Sequence, residues 1–151
     1  MSTLKDTINA DLKTAMLARD SVRTQTLQGL KAAILNEEVA KKVRDTGLDD
    51  AAVEQIIARE VKKRDEAAQL YDQGGNADSA AKERTEKEIL SVYLPEQMGE
   101  AELEALIDSV IEQVQPDGMK DMGKVIGAVK AKAGNAADGS LVARLVKAKL
   151  S

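Results

Sequence analysis

The sequence has no cysteine and no histidine, and its 151 residues include no tryptophan, no phenylalanine and only 2 tyrosines, Tyr71 and Tyr93. Each absence removes a class of chemistry. Without cysteine there is no disulfide, no thiol nucleophile and no thiolate metal site. Without histidine the commonest general base and metal ligand is gone. Carboxylates, lysines and hydroxyls remain, so catalysis is disfavoured rather than excluded. No catalytic residue, metal site or cofactor is assigned. The core must be built from Leu, Ile, Val, Ala and Met. Base stacking is unavailable as a main mode of nucleic-acid contact. No apolar run approaches the roughly 18 residues of a membrane span. The opening stretch "MSTLKDTINADLKTAM" carries acids and lacks the apolar segment of a secretion signal. A cytoplasmic protein with no membrane partner is expected.

What is present is helical by period. Hydrophobic residues make up 43% of the chain and charged residues 32%. No segment alternates as a half-buried strand does. A first helix carries Leu4, Ile8, Leu12 and Ala15/Met16 on one stripe, with Thr3 as its cap and Asp6 three residues on. A second runs from about Ser21 towards Asp45, with Val22, Leu27, Leu30, Ile34 and Val39 facing inward. A third, capped by Asp49 or Asp50, buries Val53, Ile56, Ile57, Val61 and Leu70 and ends at Gly74–Gly75. A fourth runs from about Ala77 to Tyr93, where Pro95 stops it. Three shorter helices follow: one with Leu103, Leu106, Ile107, Val110, Ile111 and Val114 inward, one over Met122 to Ala133, and one starting near Asp138. The expected fold is all-α. An N-terminal domain of about four helices, residues 1–95, precedes a three-helix domain, residues 96–151, and Tyr93, Leu94 and Pro95 mark the seam.

The stretch "GMKDMGKV" matches the nucleotide-cradling pattern G-x-x-x-x-G-K-[ST] except at Val125, which has no hydroxyl for a magnesium ion. Such a loop also needs a strand before it. The preceding "LEALIDSVIEQV" has a helical period, so no nucleotide is expected here.

Charge is segregated beyond Pro95. Residues 96–117 hold seven acids and no Lys or Arg, a charge of −7, whereas residues 118–151 hold seven bases and two acids, a charge of +5. Helix-terminal placement explains part of this, since acids suit helix starts and bases suit helix ends. The wheel of the sixth helix is more specific. Met122, Val125, Ile126, Val129 and Ala133 form one side. Gly123, Gly127 and Ala131 form the other, flanked by Lys120, Lys124 and Lys130. Two helical glycines at i, i+4 make a low ridge between cations. A neighbouring helix could pack there. That is the plainer reading of a lone small-x-x-x-small pattern; a phosphate backbone, drawn by the lysines, could also approach there. With Arg144 and Lys147 of the last helix, these residues form the candidate nucleic-acid face. The partner expected is a folded RNA read by shape and phosphate.

The pieces "LKTAMLARD", "LKAAILNEE", "EVKKRDEAAQLYDQGG", "EKEILSVYLPEQMGEAEL" and "DMGKVIGAVKAKAGNAADGSLVARLVKAKL" resemble the YqeY-like family of small bacterial proteins. That family is similar to the tail domain of the B subunit of the glutamine-dependent Asp-tRNA/Glu-tRNA amidotransferase. The resemblance covers nearly the whole chain. It implies two helical domains, a role in holding tRNA, and amidotransferase subunits or a tRNA synthetase as further partners. By relation alone it also implies carbon–nitrogen ligase chemistry with glutamine as amido-N-donor. The chain shows no amidase-type serine–lysine region and no kinase cradle to support that activity independently. It departs from the family at Gln28 and Gly75, where arginine is common, and at Gly99, where a capping Ser or Thr is usual.

Other charged or aromatic residues have plain explanations. Tyr93 is expected at the seam with its hydroxyl bonded rather than on a base. Lys62, Lys63 and Arg64 sit beside Glu60, Asp65 and Glu66 and should pair within their helix. Asp11, Asp20, Asp49 and Asp50 are expected as helix-end caps. Lys149 is expected to lie along apolar surface with its ammonium in water.

Overall fold

The computed structural model describes residues 3–151. Seven α-helices follow one another: α1 Leu4–Leu17, α2 Ser21–Ala40, α3 Asp50–Gln73, α4 Ala77–Ser91, α5 Glu100–Val114, α6 Met122–Ala133 and α7 Gly139–Leu150. Single 3₁₀ turns lie at Gly118–Asp121 and Gly134–Ala136. The described residues are all-α, and the chain divides into two compact units between Leu94 and Pro95.

In the first unit the starts of the helices are set by side-chain caps. Thr3 and Asp6 form a reciprocal capping box on α1. Asp20 accepts from the Arg23 N–H, Asp49 from Ala52 and Asn76 from Ser79. Each such cap stabilises its helix by about 1 kcal/mol. Asp50 reaches further and accepts from the Leu4 N–H at 2.9 Å, joining the start of α1 to α3.

Three helix ends share one geometry. After α1, α2 and α3, residues Arg19, Lys42 and Gly75 adopt left-handed φ values of 57°, 58° and 75°. In each case the next N–H returns to the carbonyl five residues back: Asp20 to Ala15, Val43 to Glu38 and Asn76 to Tyr71. This closure satisfies carbonyls that a helix end leaves bare. It stops α2 at Ala40, short of the expected Asp45. It also gives Gly75 a structural reason. The left-handed region costs an L-residue about 1 kcal/mol, so glycine relieves strain where the resemblance would place arginine.

The core joins Ile8 and Leu12 of α1, Leu27, Leu30 and Ile34 of α2, Val53, Ile56 and Ile57 of α3, and Ile89 and Leu90 of α4. Val61 packs against it in part. Four residues expected inside are exposed: Met16, Val22, Val39 and Leu70. Val22 lies in the first turn of α2. Val39 yields the inward position to Glu38. Leu70 lies on the far half of the α3–α4 hairpin, where only the small Ala68 and Ala80 are fully enclosed. Exposed ion pairs also cross between the two helices on that half, Arg84 with Asp72 and Lys87 with Asp65 at 2.8 Å.

Glu38 is the unexpected interior residue. Its Oε2 accepts from Lys5 Nζ at 2.7 Å and from the Leu48 N–H at 3.0 Å. One carboxylate thus ties α1, α2 and the loop into α3. Gly47 fits close by, since a Cβ there would lie 3.3 Å from Glu38 Oε2. The hydrogen bond from Lys5 is the largest influence holding the Glu38 carboxyl below its ordinary value, against the effect of burial.

The second unit packs Leu103, Ile107 and Val110 of α5 against Val125 and Val129 of α6 and Val142, Leu145 and Val146 of α7. Leu106, Ile111 and Val114 border this core. Gly99 starts α5 without a side-chain hydrogen bond, and Asp138 caps α7 by accepting from Ser140. Gly134 ends α6 at φ 56° and ψ −139°, a conformation essentially reserved for glycine. The turn that follows holds the entry segment. The Met98 N–H donates to the Ala136 carbonyl at 2.8 Å, and Gln97 Nε2 donates to the Asn135 carbonyl at 2.9 Å. The "LPEQM" and "GNA" runs, far apart in sequence, are therefore two halves of one contact.

Two predictions follow from these junctions. Gly134→Ala should destabilise the second unit by about 1–3 kcal/mol, seen as faster amide exchange across α5–α7 with α1–α4 unchanged. Glu38→Gln should lower stability near neutral pH. Because the folded pKa of Glu38 is depressed, its contribution is present above its ordinary value of 4.5 and lost as pH falls through the folded value. Thermal melts followed by circular dichroism should show the wild-type advantage shrinking below about pH 4.

Candidate nucleic-acid interface

The α6 helix begins after the Gly118–Asp121 turn, and its core side is fixed by Val125 and Val129, both fully enclosed. Gly123, Lys124, Gly127 and Lys130 are all exposed and belong to this one helix. A Cβ built at Gly123 or Gly127 would meet nothing within 4 Å. The glycine ridge therefore faces open space and is covered by no other helix of its own unit among the described residues. The sequence before Gly118 is α5 and its end, not a strand, so the phosphate-loop context is replaced by helix–turn–helix.

The cations differ in their partners. Lys120 Nζ lies 2.7 Å from Asp117, and Arg144 lies 3.6 Å from Glu100 on α5. Among the described residues Lys124, Lys130 and Lys147 make no ion pair. Lys130 extends over the start of α7, where a Cβ at Gly139 would lie 3.5 Å from its Nζ. A free amine donor on α6 therefore sits beside the α7 N-terminus. Lys120 stands on the preceding turn, and Arg144 and Lys147 stand on α7. Of the proposed set, the α6 residues share one helix, while the other three belong to neighbouring elements.

The remaining candidates resolve structurally. Tyr93 and Leu94 pack against the N-terminal core, and Pro95 opens the second unit. The Tyr93 hydroxyl donates to Asp11 Oδ2 at 2.6 Å. Asp11 is consequently not a helix-end cap; it lies within α1 and serves as this acceptor. Burial, and then the bond to Asp11, push the Tyr93 phenol well above its ordinary value. Arg64 pairs with Glu60 at 2.8 Å and with Glu86 at 3.4 Å, and Lys63 pairs with Glu60. Lys149 does more than extend to water: its Nζ lies 2.8 Å from Asp108. No group of three or more metal-binding side chains occurs among the described residues, and no helix there is long and apolar enough to cross a membrane.

An all-helical chain of two units, four helices and then three, is thus the class to be placed. A family model described as YqeY-like protein matches residues 5–150, and the chain belongs to that family. The protein called altered inheritance of mitochondria protein 41, mitochondrial, of Lachancea thermotolerans is 27% identical over 110 residues, covering 72% of this chain and 58% of that protein. Its namesake in Pyrenophora tritici-repentis is 26% identical over 143 residues, 93% of this chain and 77% of that protein. The Eremothecium gossypii namesake is 33% identical over 87 residues, 58% of this chain and 46% of that protein. The chain spans less than two thirds of the first and third of these relatives. All three are fungal and bear mitochondrial names, whereas the resemblance is to a family of small bacterial proteins and this chain is expected in the cytoplasm.

Because nothing touches the ridge, filling it should be harmless to folding. Gly123→Ala and Gly127→Ala should each stabilise the second unit by roughly 0.5–1 kcal/mol, measured by denaturant unfolding monitored through amide exchange in α6.

Proposed function

We propose that this protein is a non-catalytic tRNA-binding accessory module, similar in role to the tail domain of the amidotransferase B subunit. The observation that supports it most is the α6 face. Two lysines without ion-pair partners, Lys124 and Lys130, flank a glycine ridge open to solvent. Cations without a carboxylate partner are open to phosphate, and close approach of a backbone needs small side chains. Lys147 extends the face on α7, and Lys120 and Arg144 border it. The working compartment on this reading is the cytoplasm, with the mitochondrion as its counterpart for the fungal relatives. Amidotransferase subunits or a tRNA synthetase are the protein partners that fit the role. Carbon–nitrogen ligase chemistry with glutamine as amido-N-donor would attach to such a partner rather than to this chain, which offers no Cys or His cluster.

The open ridge also supports a second reading, an adaptor that docks a partner helix on Gly123 and Gly127. One experiment separates the two. Binding of bulk tRNA is measured across salt for wild type and Lys124→Glu/Lys130→Glu. RNA binding predicts at least about tenfold weaker affinity for the variant, with the logarithmic salt slope reduced by about 0.7–0.9 for each lost phosphate contact. Equal affinity, or no binding by wild type, removes the RNA reading. A stoichiometric protein partner captured from nuclease-treated lysate and lost with Gly127→Leu supports the adaptor.

A further inference from the structure

The acids of α5 are not scattered around the helix. Glu100, Glu104 and Asp108 follow at i, i+4 and i+8, so each is turned only about 40° from the last. They form one stripe, and it runs beside α7. Glu100 Oε1 lies 3.6 Å from Arg144, and Asp108 Oδ1 lies 2.8 Å from Lys149 Nζ. The hydrogen bond to Asp108, followed by the charges of Asp108 and Glu104, raises the Lys149 ammonium above its ordinary value despite some desolvation. The other flank of α5 meets α6 through a neutral group: Gln113 Oε1 accepts from Lys132 Nζ at 2.9 Å. Carboxylate thus borders α7, and amide borders α6.

We propose that this stripe is an intramolecular substitute for phosphate, one that sets the limit of the RNA-contacting surface. It rests on the RNA reading above. Arg144 and Lys149 pair with the stripe, Arg144 across 3.6 Å with both side chains exposed, so a polyanion is disfavoured on the α5 side of α7 and directed to Lys124, Lys130 and Lys147. Repulsion between the stripe and an approaching backbone acts over a Debye length of about 8–10 Å, which spans the width of a helix. Exposed ion pairs are individually weak. The stripe therefore decides where a bound strand lies more than whether it binds, and the acidic segment 96–117 gains a role beyond helix-end electrostatics.

The test compares two triple variants of equal charge, both measured with bulk tRNA across salt. Glu100→Gln/Glu104→Gln/Asp108→Asn removes the stripe. Glu96→Gln/Glu102→Gln/Glu112→Gln removes three acids that make no ion pair among the described residues. Releasing two cations should steepen the logarithmic salt slope of the stripe variant by roughly 1.4–1.8 and tighten binding severalfold at low salt. The control should bind slightly more tightly with the wild-type slope. Adding Arg144→Ala/Lys149→Ala to the stripe variant should restore the wild-type slope. Identical slopes for the two triple variants would overturn the stripe's role while leaving the RNA reading intact. Wild type without salt-dependent binding would remove both.

Discussion

A core without Phe or Trp is the constraint on which the rest of this structure depends. Branched aliphatic side chains and alanines fill two small interiors, and Tyr93 brings a ring only to the edge of the first. Orientation is supplied by a few polar contacts placed where elements meet. In the first unit the Glu38 carboxylate joins α1, α2 and the loop before α3. In the second, the Gly134–Ala136 turn grips Gln97 and Met98. Apolar burial drives collapse in both units. These contacts specify one arrangement among the several that interchangeable Leu, Ile and Val would allow.

Much of this was readable from local rules. Thr3 with Asp6, Asp49 before "DAAV", and the span from Met122 to Ala133 are short-range patterns, and the structure follows them. The burial of Glu38 and the role of Asp11 depend on distant partners, whereas the end of α2 is set locally. The end of α2 was missed because Lys42, not a glycine, takes the left-handed position. Glu38 is buried because Lys5, 33 residues away, and the Leu48 N–H supply its partners. Asp11 is no cap because it serves as acceptor to Tyr93, 82 residues later. Leu70 fits a core period, but α3 has only α4 beside it at that height.

The candidate face divides in the same way. A helical wheel is enough to set Gly123, Gly127, Lys124 and Lys130 apart from the apolar side of α6. It cannot say which cations are already engaged. The partners of Arg144 and Lys149 come from α5, across the bundle, and only the fold brings them close. A segment charge of +5 therefore overstates the cationic surface open to a ligand. The residues that matter are those whose counter-charges lie elsewhere.

The bond between Tyr93 and Asp11 has an optical consequence. With no tryptophan, near-ultraviolet signals from this chain arise from Tyr71 and Tyr93 alone. Tyr71 stands half in water on the α3–α4 hairpin, while Tyr93 is held to a carboxylate at the edge of the first core. No chromophore of this kind lies beyond residue 94. Tyrosine emission therefore reports loosening of the first unit directly, through release of one phenol, and the second unit can melt unseen. A fluorine label or a tryptophan introduced at the glycine ridge would give that silent half a voice of its own.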